Sequence, residues 1–178
     1  PVSRNPKIAT GPIMTGLAIA TNTLVVASNE CKYVATVSTD YDETLPAVPC
    51  HPQEFSQAIL NMIVNSAHAI SEKNDGETAK LGSITVTTRS NKTDAEIVVT
   101  DNGGGMPNEI RSKVFDPFFT TKGVGKGTGQ GLSMAYATIV DKHGGQLRVE
   151  SELGKGTTFT IHIPLESART ALTSDIQV

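Results

Sequence analysis

Three groups of residues have types and spacings that could do chemistry. The first is Asp101-Asn102-Gly103-Gly104-Gly105-Met106, which follows an apolar run at 97–100. Glycines there permit positive φ and let a ligand come close to the backbone. A carboxylate at the end of a strand can accept a hydrogen bond from an exocyclic amine such as that of adenine. Taken alone, Asp and Gly after a strand are also what an ordinary turn contains.

The second group is Gly123-Val124-Gly125-Lys126-Gly127-Thr128-Gly129-Gln130-Gly131-Leu132, which runs straight into a helical pattern. Successive N–H groups of such a loop form an anion nest, and the helix N-terminus adds its dipole. That arrangement suits a polyphosphate. It is not the Walker spacing, and a glycine loop alone could equally be a linker.

The third group is Asn61, Asn65 and His68. At roughly 100° per residue they fall within an arc of about 60° on one helix face. Amide oxygens are neutral magnesium ligands. A solvated polar face is the simpler reading of any one of them, but two asparagines at i, i+4 in an otherwise apolar segment need a reason.

Elements must position these groups. Residues 54–71 have the clearest helical period, with Phe55, Ile59, Met62, Ile63, Ser66 and Ile70 on one face. Residues 33–39 alternate as a strand, and 83–88 with 95–100 read as a hairpin. A short helix is expected near 108–114 and a longer one over 131–142. Residues 146–151 and 157–163 form a second hairpin around Leu153-Gly154-Lys155-Gly156. Residues 1–12 read as an arm, 15–32 as a weakly signalled helix, and 40–52, with three prolines, as a loop. The result is a two-layer α/β sandwich: one mixed sheet with helices covering one face.

Composition bounds the rest. The 178 residues suffice for one cored domain, at 38% apolar and 19% charged. Tryptophan is absent, so aliphatic residues must build the core. A net charge of −3 with no basic stretch argues against a nucleic-acid partner. Cys31 and Cys50 lack metal-ligand spacing and read as plain thiols of a reducing compartment. No stretch predicts a signal peptide or a membrane span. The chain does not begin with Met and reads as an excerpt of something longer.

The groups also occur in a particular order. An asparagine helix precedes Asp-x-Gly-x-Gly. Then come Val114-Phe115-Asp116-Pro117-Phe118-Phe119-Thr120-Thr121-Lys122, the Gly-x-Gly-Thr-Gly-x-Gly-Leu loop, and a final Gly-x-Gly-Thr-Thr-Phe hairpin. Over residues 45–165 this order resembles the ATPase/kinase superfamily of gyrase, the heat-shock chaperones, MutL and the histidine kinases. Phe-Asp-Pro-Phe-Phe-Thr-Thr-Lys resembles the phenylalanine box of the histidine kinases.

That resemblance implies ATP and Mg2+ as cofactors, with Asn65 as the metal ligand and Asp101 reading adenine beside Gly103, Gly105 and Met106. It implies a phosphate loop of Gly125, Lys126, Gly127, Thr128, Gly129, Gly131 and Leu132, helped by Lys122, and a supporting Thr157. Residues 106–126 would form an ATP lid anchored by Phe118 and Phe119. Asn61 stands where hydrolytic members carry a glutamate base, and an amide is no base near neutral pH. His68 replaces the family's usual Lys or Arg near the phosphates, and its charge there is open.

The implied activity is that of a protein-histidine kinase of a two-component system. Its phosphoacceptor histidine lies on a dimerisation domain outside this chain, and a response regulator is the final acceptor. None of His51, His68, His143 and His162 has the acceptor context. Residues 33–165 would be the kinase domain, 1–32 an arm with the possible end of a preceding helical hairpin, and 166–178 a tail. A cytoplasmic location is implied for this fragment, with the parent protein free to be membrane-anchored. Two rivals share the fold: an adaptor that no longer uses nucleotide, and an ATP-driven clamp. A related serine kinase is a third, against which the phenylalanine box argues.

Overall fold

The computed structural model describes residues 13–15, 23, 27, 31–74, 81–91, 93–121 and 127–165. In chain order the strands and helices are β1 (Ile13–Thr15), β2 (Ala35–Asp40), β3 (Ala47–Pro49), α1 (Pro52–Lys73), β4 (Gly82–Ser90), β5 (Asp94–Asp101), α2 (Asn108–Arg111), α3 (Gly131–Tyr136), β6 (Gln146–Glu152) and β7 (Gly156–Pro164). Helix α3 runs on without a break as a π-helical segment, Ala137–Lys142.

Helix α1 forms where the apolar period is strongest. Pro52 opens it, where a missing N–H costs nothing, and Glu54 and Lys73 lie in the first and last turns with the signs the helix dipole favours. The buried face carries Phe55, Ala58, Ile59, Met62, Ile63, Ser66, Ala67 and Ile70. This stripe lies against a five-stranded sheet of order β2-β4-β5-β7-β6. β2 and β4 are parallel and the other pairs antiparallel, so the sheet is mixed.

Alternation along the strands decides which side chains meet α1. Ile84, Val86 and Thr88 of β4, Ala95, Ile97 and Val99 of β5, and Phe159, Ile161 and Ile163 of β7 are buried. The intervening Thr85, Thr87, Thr100, Thr158 and Thr160 point to the other face. Continuing the β5 alternation by two residues puts Asp101 on the core side, where it is 5% exposed. The fold therefore delivers a carboxylate to the end of its apolar layer.

The π segment has identifiable restraints. His143 is fully buried, and its Nδ1 meets the Thr138 carbonyl at 2.6 Å. Its Nε2 accepts the His51 N–H at 3.0 Å. That carbonyl has no proton to give, so Nδ1 carries the proton and the ring is held neutral. Lys142 pairs with Glu54 at 2.7 Å. The end of α3 is thus tied to the start of α1.

Several expectations are corrected. Residues 40–52 are not all loop: β3 pairs antiparallel with β1, Ile13 opposite Pro49. Three residues, one of them Pro49, are too few for an alternation to show. Thr15 closes β1, so it does not begin a helix. Of the helix expected over 15–32, Thr23, Ala27 and Cys31 are helical and buried, Lys32 lies in a turn, and most of the rest lies outside the described residues. Helix α2 stops at Arg111, short of Val114. The arm at 1–12 and the tail at 166–178 also lie outside the described residues.

Candidate functional site

The end of the apolar layer opens into a cleft of about 380 Å³ between α1, the ends of β5 and β7, and the loop before α3. That volume is within the usual range for small-molecule sites.

Asp101 lies at its base. Oδ2 accepts the Ser66 hydroxyl at 2.7 Å, and Oδ1 accepts the N–H groups of Gly103 at 2.8 Å and Thr157 at 3.2 Å. Burial pushes its carboxyl above the ordinary 3.8, with these three bonds and the charge of Lys73 pulling the other way. Lys73 itself clips the surrounding turns, donating to the carbonyls of Asn102 at 2.7 Å and Gly154 at 3.0 Å.

Two glycines make the floor possible. A Cβ on Gly105, whose φ is +67°, would fall on the Glu152 carbonyl oxygen. A Cβ on Gly156 would fall on the carbonyl oxygen of Asp101. The turn after β5 and the β6–β7 turn thus touch backbone to backbone, which only glycine allows. Ser151 joins them: its hydroxyl accepts the Met106 N–H at 2.8 Å and donates to the Gly156 carbonyl at 2.9 Å. The Thr157 hydroxyl lies 3.0 Å from Ser151 Oγ.

One wall is α1. Asn61, Asn65 and His68 all line the cleft, as the helical spacing predicts. Asn61 is engaged at both ends of its amide, receiving Gln57 Nε2 at 3.0 Å and donating Nδ2 to the Gly131 carbonyl at 3.0 Å.

Another wall is the loop before α3 together with the first residues of that helix. Gly127, Thr128, Gly129, Gly131 and Leu132 line the cleft. Gly129 has φ +64°, and a Cβ there would lie 2.5 Å from the Phe118 carbonyl carbon, so this loop rests on the backbone of the phenylalanine segment. Lys122, Gly125 and Lys126 lie outside the described residues. Phe119 lines the cleft, but Phe118 is 72% exposed at φ +65° and does not anchor anything described. Val114 is buried and Phe115 stacks, tilted, on Tyr136 with ring centroids 5.4 Å apart; these two hold the segment down.

Asp101, Gly105, Met106 and Thr157 also line the cleft, with Gly103 hydrogen-bonded to Asp101. Sequence reasoning missed Ser66, Lys73, Gln57 and Ser151. Ser66 left a trace, being the polar member of the apolar stripe of α1. Lys73 left none, because Asn102 and Gly154 lie far along the chain, and nor did the link from Ser151 to Met106, 45 positions away.

Residues 50–167 match the family described as histidine kinase-, DNA gyrase B-, and HSP90-like ATPase. The chain belongs to that ATPase family. Sensor histidine kinase ZraS of Escherichia coli is 36% identical over 128 residues, covering 72% of this chain and 25% of that protein. Sensor kinase CckA of Brucella abortus is 39% identical over 140 residues, covering 70% of this chain and 14% of that protein. The chain thus spans a quarter or less of these relatives. Among solved structures, the catalytic domain of histidine kinase ThkA superposes with a TM-score of 0.72 at 27% identity, covering 86% of this chain and 94% of that one. The fold also matches the mycobacterial sensor histidine kinase MprB, with a TM-score of 0.69.

The ATPase family fits the cleft. An acceptor carboxylate, a floor of glycine backbone and a glycine loop feeding a helix are what a purine triphosphate needs. The donor set also suits magnesium. Among the described residues no cluster of three His, Cys, Asp or Glu could cage a metal. Magnesium needs none, because it takes one or two protein oxygens and completes its shell with phosphates and water. Asn65, whose side chain carries a neutral amide oxygen, lines the cleft. No helix among the described residues is long and apolar enough to cross a membrane.

Proposed function

We propose that this ATPase-family domain is the catalytic part of a sensor histidine kinase. It binds Mg-ATP and gives the γ-phosphate to a histidine on a dimerising helical domain outside this chain. A response regulator then takes the phosphate. The observation that carries this reading is Asn61. An amide stands where a hydrolase of the family needs a base, and both its ends are occupied, by Gln57 and Gly131. Nothing at that position can deprotonate water.

The chain's own groups then bind and orient. Asp101 accepts the adenine amine, with Gly103, Gly105, Met106 and Thr157 shaping the floor. The N–H groups of Gly127, Thr128, Gly129, Gly131 and Leu132 line the phosphates, with Lys122, Gly125 and Lys126 of the preceding sequence assigned to the same role. Asn61 holds the start of α3 to α1. His68 reaches the rim. Magnesium, held through Asn65, would supply charge neutralisation. The attacking histidine nitrogen forms the new P–N bond as the bond from the γ-phosphorus to the bridging oxygen breaks, and ADP leaves. Such a transfer asks the protein for position and electrostatics more than for covalent help.

Residues 33–165 constitute this unit in our reading, and it works on the cytoplasmic side. The test mixes the chain with γ-labelled Mg-ATP and the histidine-bearing domain. Acid-labile, alkali-stable label on that domain supports the kinase. Steady release of free phosphate without any acceptor would replace it with the clamp ATPase, and no nucleotide binding would replace it with the adaptor.

A further inference from the structure

The hydroxyl contacts around Ser151 admit only one arrangement of protons. Ser151 Oγ touches three groups: the Met106 N–H at 2.8 Å, the Gly156 carbonyl at 2.9 Å and the Thr157 hydroxyl at 3.0 Å. A serine hydroxyl has one proton and two lone pairs. The Gly156 carbonyl has no proton, so that contact must use the proton of Ser151. The Met106 amide has a proton and no lone pair to offer, so it occupies one lone pair of Ser151. The Thr157 contact can then form only if Thr157 donates its own proton to the second lone pair. All three contacts exist together only in this arrangement.

The consequence reaches the ligand. Thr157 is 5% exposed and lines the cleft beside Asp101, its cross-strand partner. Its proton is spent on Ser151, so the hydroxyl presents lone pairs alone. Asp101 accepts three hydrogen bonds as a carboxylate and likewise offers only acceptors. The floor is therefore acceptor-only, at two residues held by one network.

We propose that Ser151, which need not touch the nucleotide, is a specificity-determining residue: it fixes the polarity of Thr157 and so favours a purine with an amino group over one with a carbonyl. This rests on the reading of the cleft as an ATP site. A 6-amino purine brings donors to the floor. At position 6 an oxo purine brings an acceptor instead, its N1–H being the donor beside it, and a buried acceptor set against acceptors is costly.

The experiment measures ATP and ITP affinities by calorimetry on the whole chain, for the wild type, Ser151→Ala and Thr157→Val. Releasing the Thr157 proton lets it turn toward a 6-oxo group, so the ITP/ATP ratio of Kd values should fall by about fivefold or more in Ser151→Ala, roughly one hydrogen bond. In a Thr157→Val background, Ser151→Ala should leave the ratio unchanged. Ser151→Cys has nearly the same shape with a poor acceptor, and should lower the ratio in the same direction if Ser151→Ala does not fold. A ratio within twofold of wild type in a folded Ser151 variant that still binds ATP overturns the proposal, and so does an equal shift with Thr157 absent. Failure of the wild type to bind ATP would instead overturn the functional reading beneath it.

Discussion

Asp101 and Thr157 are cross-strand partners of β5 and β7, and the Thr157 N–H donates to Asp101 Oδ1 across 3.2 Å. The Gly103 N–H reaches the same oxygen and the Ser66 hydroxyl the other. The carboxylate is therefore aimed before any ligand arrives, by groups on α1, β7 and its own turn. Such preorganisation lowers the cost of binding.

That aim has a pH signature. Burial raises the Asp101 carboxyl above 3.8 in the folded chain. A carboxyl raised on folding costs stability while ionised, so its contribution improves as pH falls through the folded value toward 3.8 and levels off below that. An amine donated by a ligand favours the ionised form. ATP should then lower the midpoint, and affinity should fall as pH drops through this window. Carbon-13 NMR of the Asp101 carboxyl should show a midpoint above 3.8 without nucleotide and a lower one with it. A midpoint at or below 3.8 in the free chain would contradict the burial argument.

Two glycines of the site should answer differently to alanine. At Gly105 a methyl meets the Glu152 carbonyl at φ +67°, so Gly105→Ala should lose several kcal/mol, on the order of 3 or more, in urea unfolding. At Gly131 a methyl would touch the Asn61 side chain at an ordinary 3.5 Å, at the first residue of α3. Gly131→Ala should leave stability within about 1 kcal/mol, helped by helix propensity. Equal losses at both sites would mean that the turns do not pack as described.

Asn61 joins α1 to the first residue of α3. Asn61→Ala should cost about 1 kcal/mol, the usual net value of a hydrogen bond. Asn61→Asp keeps the shape but turns an acceptor toward the Gly131 carbonyl, and should cost more, about 1–3 kcal/mol at neutral pH. Chemical denaturation of both variants checks the order. Asp tolerated better than Ala would remove the bond to Gly131 from the account.

His143 accepts from His51 and donates to Thr138 while fully buried. His143→Ala should lose about 2–4 kcal/mol, from cavity and unsatisfied partners together. Amide exchange should speed up first in 137–142 and at the start of α1. Exchange confined to the 143–145 turn would show that His143 does not hold the π segment.

The sequence made much of this legible for a physical reason. Asp101, Gly103 and Gly105 are neighbours in the chain, so their joint purpose survives in one dimension. The face of α1 is legible because helical spacing is regular: Asn61, Asn65 and His68 share a wall as their intervals require. The bonds of Ser66 to Asp101, Ser151 to Met106 and His143 to His51 were opaque because they span 35, 45 and 92 positions. Nothing local marks a serine in a strand as a junction. The family resemblance implies an anchor at Phe118, yet its φ is positive and its ring faces solvent. Strand β3 hid behind Pro49 and its own brevity.

The most direct test of the central claim is calorimetric titration of the chain with ATP, with and without magnesium, beside Asp101→Ala. Magnesium-dependent binding at micromolar to sub-millimolar affinity, lost in Asp101→Ala, is the expected result. Absence of binding to the wild-type chain, or binding that survives Asp101→Ala unchanged, would contradict it.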